Sequence, residues 1–383
     1  MKRCAYLCAA LVLLLALVPV EARAVDLPIR SQAAVLMEKE TGRVLYARNE
    51  HEKLEPASVT KVMTLLLVME AIDSGTLHYD DVVTASDYAS SMGGSQIFLK
   101  AGEQMTVEDL LKGVCVASGN DACVALAEHL AGVTELFVAQ MNNRARELGM
   151  NDTNFVNCNG LPAEGHVTSA YDIALMSREL ILHHPDIRRF TTIWMDTIRG
   201  GEFQLSNTNK LIRFYDGATG LKTGSTDSAG YCISATAEKE GMELIAVTLK
   251  ADTSSDRFED AKALLNYGFS TFALLDAGEG VELTPVPVVL GGADTVTPVI
   301  SQTGRRLLVE RSQAAGAERT VELAESVEAP VEAGQQLGQV TVTAGDEVLA
   351  AVPILAGEAV PRLTWSQMFL RLLRLAVTGS ASD

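Results

Sequence analysis

Aromatic residues are scarce in this chain, at 5% of 383 positions, and positive charge is scarcer than negative. The 31 lysines and arginines face 49 aspartates and glutamates, for a formal charge of −18. That balance repels phosphate backbones, and no basic cluster stands out in the body of the chain, which argues against nucleic acid as a partner. Cysteine is sparse too: six residues, none in the C-x-x-C spacing of a metal or redox centre. The six histidines are scattered, and His183-His184 reads as a helix end, so the expectation is no metal and no cofactor. Apolar content is ample. With 48% hydrophobic and 21% charged residues the chain is globular, and its length suggests two or three domains.

The first residues read as an export signal. Lys2 and Arg3 form a basic start, Ala9 to Val18 is apolar, and Ala22-Arg23-Ala24 supplies an A-x-A cleavage pattern, giving a signal peptide over 1–24. Cleavage would remove three basic residues and one acidic one, taking the formal charge from −18 to −20. No second long apolar run follows, so no conventional transmembrane anchor is expected. Cys115, Cys123, Cys158 and Cys232 remain, as small buried hydrophobes or at most a disulfide or two.

The body divides near Ala273–Gly280. Upstream, Ser58–Ser74 reads as a helix that is apolar on most faces, and Val107–Leu130 as two helices interrupted at Ser118-Gly119-Asn120. Thr134–Leu148 and Ser169–His183 are amphipathic, the latter opening with the capping pattern Ser169-x-x-Asp172. Gly230–Thr236 and Met242–Lys250 read as strands joined by a polar turn, and Arg257–Tyr267 returns to helical spacing. Beyond Gly280, short Val/Leu/Thr runs alternate with Gly, Pro and acidic residues, predicting a small β domain over 280–358 without chemistry of its own.

Three short motifs carry the chemistry. Ser58-Val59-Thr60-Lys61 is the sole Ser-x-x-Lys, at the start of a strong helix. Residues three apart share a helix face, which puts the Lys61 amine beside the Ser58 hydroxyl. A serine hydroxyl is a poor nucleophile until a base takes its proton, and a partly buried lysine can be that base. Ser118-Gly119-Asn120 projects polar side chains from a helix-to-helix turn, where a hydroxyl can relay a proton and the Asn120 amide can bond both Lys61 and a substrate carbonyl. Lys222-Thr223-Gly224 precedes a strand hairpin. A strand edge can pair with an extended peptide, Gly224 leaves room for that approach, and Lys222 and Thr223 can hold a carboxylate. Each motif alone has a bland reading: a capped helix start, an Asx turn, an exposed strand lysine. Their single occurrence, in this order, makes the combination hard to dismiss.

The chain resembles the serine D-alanyl-D-alanine carboxypeptidases of the low-molecular-mass penicillin-binding proteins. The likeness includes Pro56–Thr64, Ala117–Ala122, Asn159-Gly160-Leu161-Pro162 and Asp216–Gly224, and covers roughly 27–275. It implies an α+β catalytic domain over 25–274, an antiparallel sheet with helices and a helical lobe, followed by the small all-β domain. Ser58 would form an acyl-enzyme with a peptidoglycan stem peptide, or with a β-lactam, and Lys61 would be its base. Ser118 and Asn120 would form the proton relay and substrate contact, Lys222 and Thr223 would bind the terminal carboxylate side with help from Arg257, and Gly224 and Ser225 would complete the substrate-binding strand. The backbone N–H groups of Ser58 and Ser225 would form the oxyanion hole. His166 resembles a position close to the cleft, with a structural role favoured over a catalytic one.

Two alternatives are kept open. A class A β-lactamase would need a Glu-x-x-Leu-Asn signature, which does not occur between Asp121 and Leu221. A silent peptidoglycan-binding envelope protein would be expected to have lost at least one motif residue. The chain ends in an amphipathic stretch, 362–378, whose apolar face comprises Trp365, Met368, Phe369, Leu372, Leu373 and Ala376. Too short to span a bilayer, it suits a helix lying at the membrane surface, with Arg362, Arg371 and Arg374 toward anionic lipid. Location at the outer face of the bacterial cytoplasmic membrane follows from that reading.

Overall fold

The six residues Ala33–Glu38 are all buried, so the strand they form is covered on both faces and reads as an apolar run from Ala33 to Met37. In the computed structural model, which describes residues 27–378, it sits inside a five-stranded antiparallel sheet. The order is Val44–Arg48, Ala33–Glu38, Met242–Ala251, Gly230–Lys239, Ala218–Thr226. The long hairpin turns at Glu240-Gly241 with φ of 52° and 74°, the two positive values that suit a tight turn to the strand twist. Lys222, Thr223 and Gly224 lie on the sheet's edge strand, opposite Ser234, Ile233 and Cys232. The segment read as an export signal, with Cys4 and Cys8, lies outside the described residues.

The helices form the other half of this unit. Lys61–Asp73 is buried through Val62, Met63, Leu65, Leu66, Val68 and Met69, and packs against Ala170–His183 and Asn120–Ala131. The helical ladder starts later than the sequence suggests. Ala57–Thr60 is a 3₁₀ turn, entered through Ala57 with a left-handed φ of 47°, and the α-helix begins at Lys61. Val107–Cys115 and Asn120–Ala131 are separate helices, broken where Ser118 takes φ 62°. Ser169 caps its helix by accepting the Asp172 N–H at 3.2 Å. His183 and His184 close the same helix.

By compactness the chain forms two units. One comprises the chain to Glu238 with Leu244–Leu265, the other Lys239–Glu243 with the chain from Asn266, so the division falls within helix Ser254–Thr271. The second unit is built on a four-stranded antiparallel sheet, ordered Pro298–Ile300, Glu347–Ala356, Gln336–Ala344, Ala317–Leu323. Helix Trp365–Thr378 follows, with Trp365, Phe369, Leu370, Leu372 and Leu373 exposed, Trp365 at 90% and Phe369 at 64%. Two of its expected cations are paired within the unit, Arg362 with Glu328 and Arg371 with Asp294. Among the described residues no single helix is long and apolar enough to cross a membrane.

Candidate active site

The turn that presents Ser58 is held by backbone contacts. Ala57 and Val59 are buried while Ser58 between them is partly open. The Thr60 hydroxyl donates to the Ala57 carbonyl at 2.8 Å and lies 2.8 Å from Nε2 of His166. Nδ1 of His166 accepts the Val156 N–H at 3.0 Å, which leaves the ring proton on Nε2, facing Thr60. Burial pulls His166 down to about 4, so the ring is neutral at physiological pH and steadies the turn through Thr60.

Two glycines admit this turn. A Cβ on Gly160, whose φ is 85°, would stand 1.9 Å from the Ala57 carbonyl oxygen. One on Gly224 would stand 2.7 Å from the Ser58 nitrogen and 2.9 Å from the Pro56 carbonyl oxygen. This gives Gly224 a different reason from the one the sequence suggested. Its missing side chain lets the protein's own nucleophile turn approach the edge strand, before any substrate is considered.

Lys61 is fully buried, and its Nζ has three neutral partners: Ser58 Oγ at 2.8 Å, Asn120 Oδ1 at 2.6 Å and the Asn159 carbonyl at 2.7 Å. The Asn120 amide is oriented by its Nδ2, which donates to the Gly93 carbonyl at 2.7 Å. One end of that amide is therefore occupied by the protein rather than wholly available to a ligand. Burial draws Lys61 down to about 8, against an opposing pull from Cys123, Cys158 and Asp121. Of its partners, two oxygens only accept and the Ser58 hydroxyl alone can donate. A neutral amine satisfies all three by giving two protons to the carbonyl oxygens and turning its lone pair to the Ser58 proton.

Lys222 lies across from this pair. Its Nζ, also buried, reaches Ser118 Oγ at 2.8 Å and the Thr223 carbonyl at 2.8 Å. Burial, followed by the charge of Lys61, holds it well below its ordinary value. The Ser118 hydroxyl thus joins the third motif, while Asn120 joins the first. Thr223 Oγ1 lies 2.7 Å from Thr208 Oγ1. Ser225 is exposed at the end of the same strand segment. Arg257 is 6% exposed and already engaged, donating to the Gly224 carbonyl at 3.1 Å and the Cys232 carbonyl at 3.3 Å, with its guanidinium over Tyr231 and Phe258. Its Nε is buried without a partner, and burial lowers it to about 10. The four described cysteines are buried and free.

The family model described as D-alanyl-D-alanine carboxypeptidase matches residues 20–253, and that described as penicillin-binding protein 5, C-terminal domain, matches 269–362. The chain belongs to the D-alanyl-D-alanine carboxypeptidase family. It is 42% identical over 342 residues to the carboxypeptidase DacF of Bacillus subtilis, covering 88% of this chain and 87% of that one. It is similar to the crystal structure of penicillin binding protein 5 from Haemophilus influenzae, with 30% identity and a TM-score of 0.73 over 88% of this chain and 100% of that one. Penicillin-binding protein D2 of Listeria monocytogenes, solved in an ampicillin-bound form, is 34% identical with a TM-score of 0.59 over 64% of this chain and 100% of that one. These names support the carboxypeptidase reading over the lactamase and silent-binder alternatives.

The sequence left Asn159, Gly160 and Thr208 without roles. Asn159 and Gly160 act through a carbonyl and a missing side chain, which residue type does not reveal, although both stand in the family-like Asn159-Gly160-Leu161-Pro162. Gly160→Ala should displace the Ala57 carbonyl, slow β-lactam acylation by ~100-fold and destabilise the protein by ~1–3 kcal/mol. Acylation kinetics and a thermal melt measure both effects, and unimpaired acylation would refute the role given to this glycine.

Proposed function

We infer that the chain is a serine D-alanyl-D-alanine carboxypeptidase that removes the terminal D-alanine from peptidoglycan stem peptides and is acylated by penicillins. The observation that carries this reading is the buried Lys61 amine, bonded to Ser58 and to two oxygens that only accept. In the reaction so read, Ser58 Oγ attacks the carbonyl carbon of the penultimate D-alanine as its proton passes to Lys61 Nζ. The oxyanion forms against the backbone N–H groups of Ser58 and Ser225, an assignment supported by the close approach of Gly224 to the Ser58 nitrogen. The proton held by Lys61 is relayed through the Ser118 hydroxyl to the departing amine, which leaves Lys61 neutral again; the C–N bond breaks, and free D-alanine leaves. Water then attacks the Ser58 ester, giving its proton to Lys61 and regenerating the hydroxyl.

Lys222 and Thr223 hold the substrate carboxylate. Burial, and next the charge of Lys61, work against the charged form of Lys222, and an arriving carboxylate opposes both. Arg257 supports that subsite by fixing the Gly224 carbonyl, with its unpartnered Nε adding positive potential. Intact-protein and peptide mass spectrometry should place a long-lived penicillin adduct on Ser58, absent from Ser58→Ala. Lys61→Ala should stay folded yet label at least ~100-fold more slowly. Adduct formation on Ser58→Ala would refute the nucleophile.

The protein is exported and held at the outer membrane face by the terminal helix. Support comes from the uncovered Trp365, Phe369, Leu370, Leu372 and Leu373. The ion pairs of Arg362 and Arg371 are largely exposed, and such pairs contribute only about 0–1 kcal/mol, so anionic headgroups can replace the carboxylates. Truncation after Pro361 should abolish co-sedimentation with anionic vesicles and leave activity on small soluble substrates unchanged. Equal sedimentation of both proteins would overturn the anchor.

A further inference from the structure

Thr208 is the one exposed residue of Asn207-Thr208-Asn209, and the two asparagines around it are buried. Both work as backbone clamps. Asn207 donates from Nδ2 to the Ile193 carbonyl at 2.6 Å and accepts the Asn209 N–H at 2.8 Å. Asn209 donates from Nδ2 to the Gly220 carbonyl at 2.8 Å and accepts the Leu211 N–H at 3.1 Å. Thr208 is thereby fixed on either side, and its own N–H donates to the Val116 carbonyl at 3.2 Å, two residues before Ser118. Its hydroxyl meets that of Thr223 at 2.7 Å. One residue therefore ties the strand of Lys222 and Thr223, through its hydroxyl, to the end of the helix before Ser118, through its backbone N–H.

The direction of the Thr208–Thr223 hydrogen bond matters. Thr223 has one hydroxyl proton, and a carboxylate can only accept. If Thr223 donates to Thr208, it has nothing to offer a substrate. With a carboxylate in place, Thr223 must turn its proton to the anion and accept from Thr208 in return. We propose that Thr208 is a positioning residue for substrate recognition: it donates to Thr223, releasing the Thr223 proton for the substrate's terminal carboxylate. The role rests on the carboxylate subsite assigned to Lys222 and Thr223. Charge at the far end of the chain strengthens the near bond, so the pair responds to the anion and not to the acyl half of the ligand.

The test compares Thr208→Val, which keeps the shape and removes the hydroxyl, with Thr208→Ser, which keeps it, and with Thr223→Val. Each full-length variant is acylated by a diacyl-L-Lys-D-Ala-D-Ala peptide and by the same peptide as its C-terminal methyl ester. The expected result is an acylation efficiency about tenfold lower for Thr208→Val with the free acid, unchanged with the ester, and recovered in Thr208→Ser. Equal loss on both peptides would mean that Thr208 merely supports the fold and would overturn the proposal. Loss of acid preference in Thr223→Val with its retention in Thr208→Val would overturn it while keeping the subsite. Absence of any acid preference in the wild type and in Thr223→Val would overturn both.

Discussion

The site depends on one buried amine having only neutral company. Lys61 is removed from solvent, and each of its hydrogen-bond partners is an uncharged oxygen. A carboxylate in any of those three places would hold the ammonium form and take away the base. With carbonyl oxygens at two of them, the neutral amine loses nothing in hydrogen bonding, and desolvation draws the group down to about 8, which makes the reactive neutral form accessible near physiological pH. Asp121, next to Asn120 in sequence, shows how an acid is kept from that role. Its carboxylate accepts the N–H groups of Ile97 and Leu99 at distances of 2.9–3.1 Å and so fastens the neighbouring loop.

The other constraint is steric. Ser58 comes from a 3₁₀ turn entered through a left-handed alanine, Lys61 from the first residue of the following helix, and the Asn159 carbonyl from a loop. They meet because Gly160 and Gly224 allow two other backbone segments to press on the turn. The left-handed backbone at Ala57 and Ser118 costs roughly 1–2 kcal/mol at each residue. The dense packing of helix Lys61–Asp73 between its neighbours sustains it. His166 belongs to the same scaffold: its tautomer is set by the Val156 N–H, and its proton faces the Thr60 hydroxyl that binds the Ala57 carbonyl.

Much of this was legible in the sequence, and for identifiable reasons. The three motifs are made of side chains with distinctive chemistry, and the strand and helix patterns around them are strongly apolar, so both the elements and the likeness to a family could be read. The break at Ser118-Gly119-Asn120 and the cap at Ser169 were visible as local signals. The remainder depends on backbone geometry. A positive φ at alanine, a carbonyl at Asn159 and the reason for Gly224 leave no trace in residue type. Arg257 is expected from the resemblance to help hold the substrate carboxylate; its bonds to two backbone carbonyls and its stacking on two aromatic rings could not be read from residue type. Thr208 stands outside the three motifs, and only the fold brings its hydroxyl to that of Thr223.

The central claim, that Lys61 is a base because it is buried among neutral acceptors, is tested most directly by titrating the amine itself. Lysine Nζ resonances, assigned by comparison with Lys61→Arg, should show one group titrating near pH 8, the value to which burial draws it. The rate of β-lactam acylation should rise with pH through the same midpoint, since the deprotonated amine is the reactive form. A Lys61 amine that stays protonated to the ordinary lysine range of about 10.4, with acylation already at full rate near neutral pH, would contradict the account.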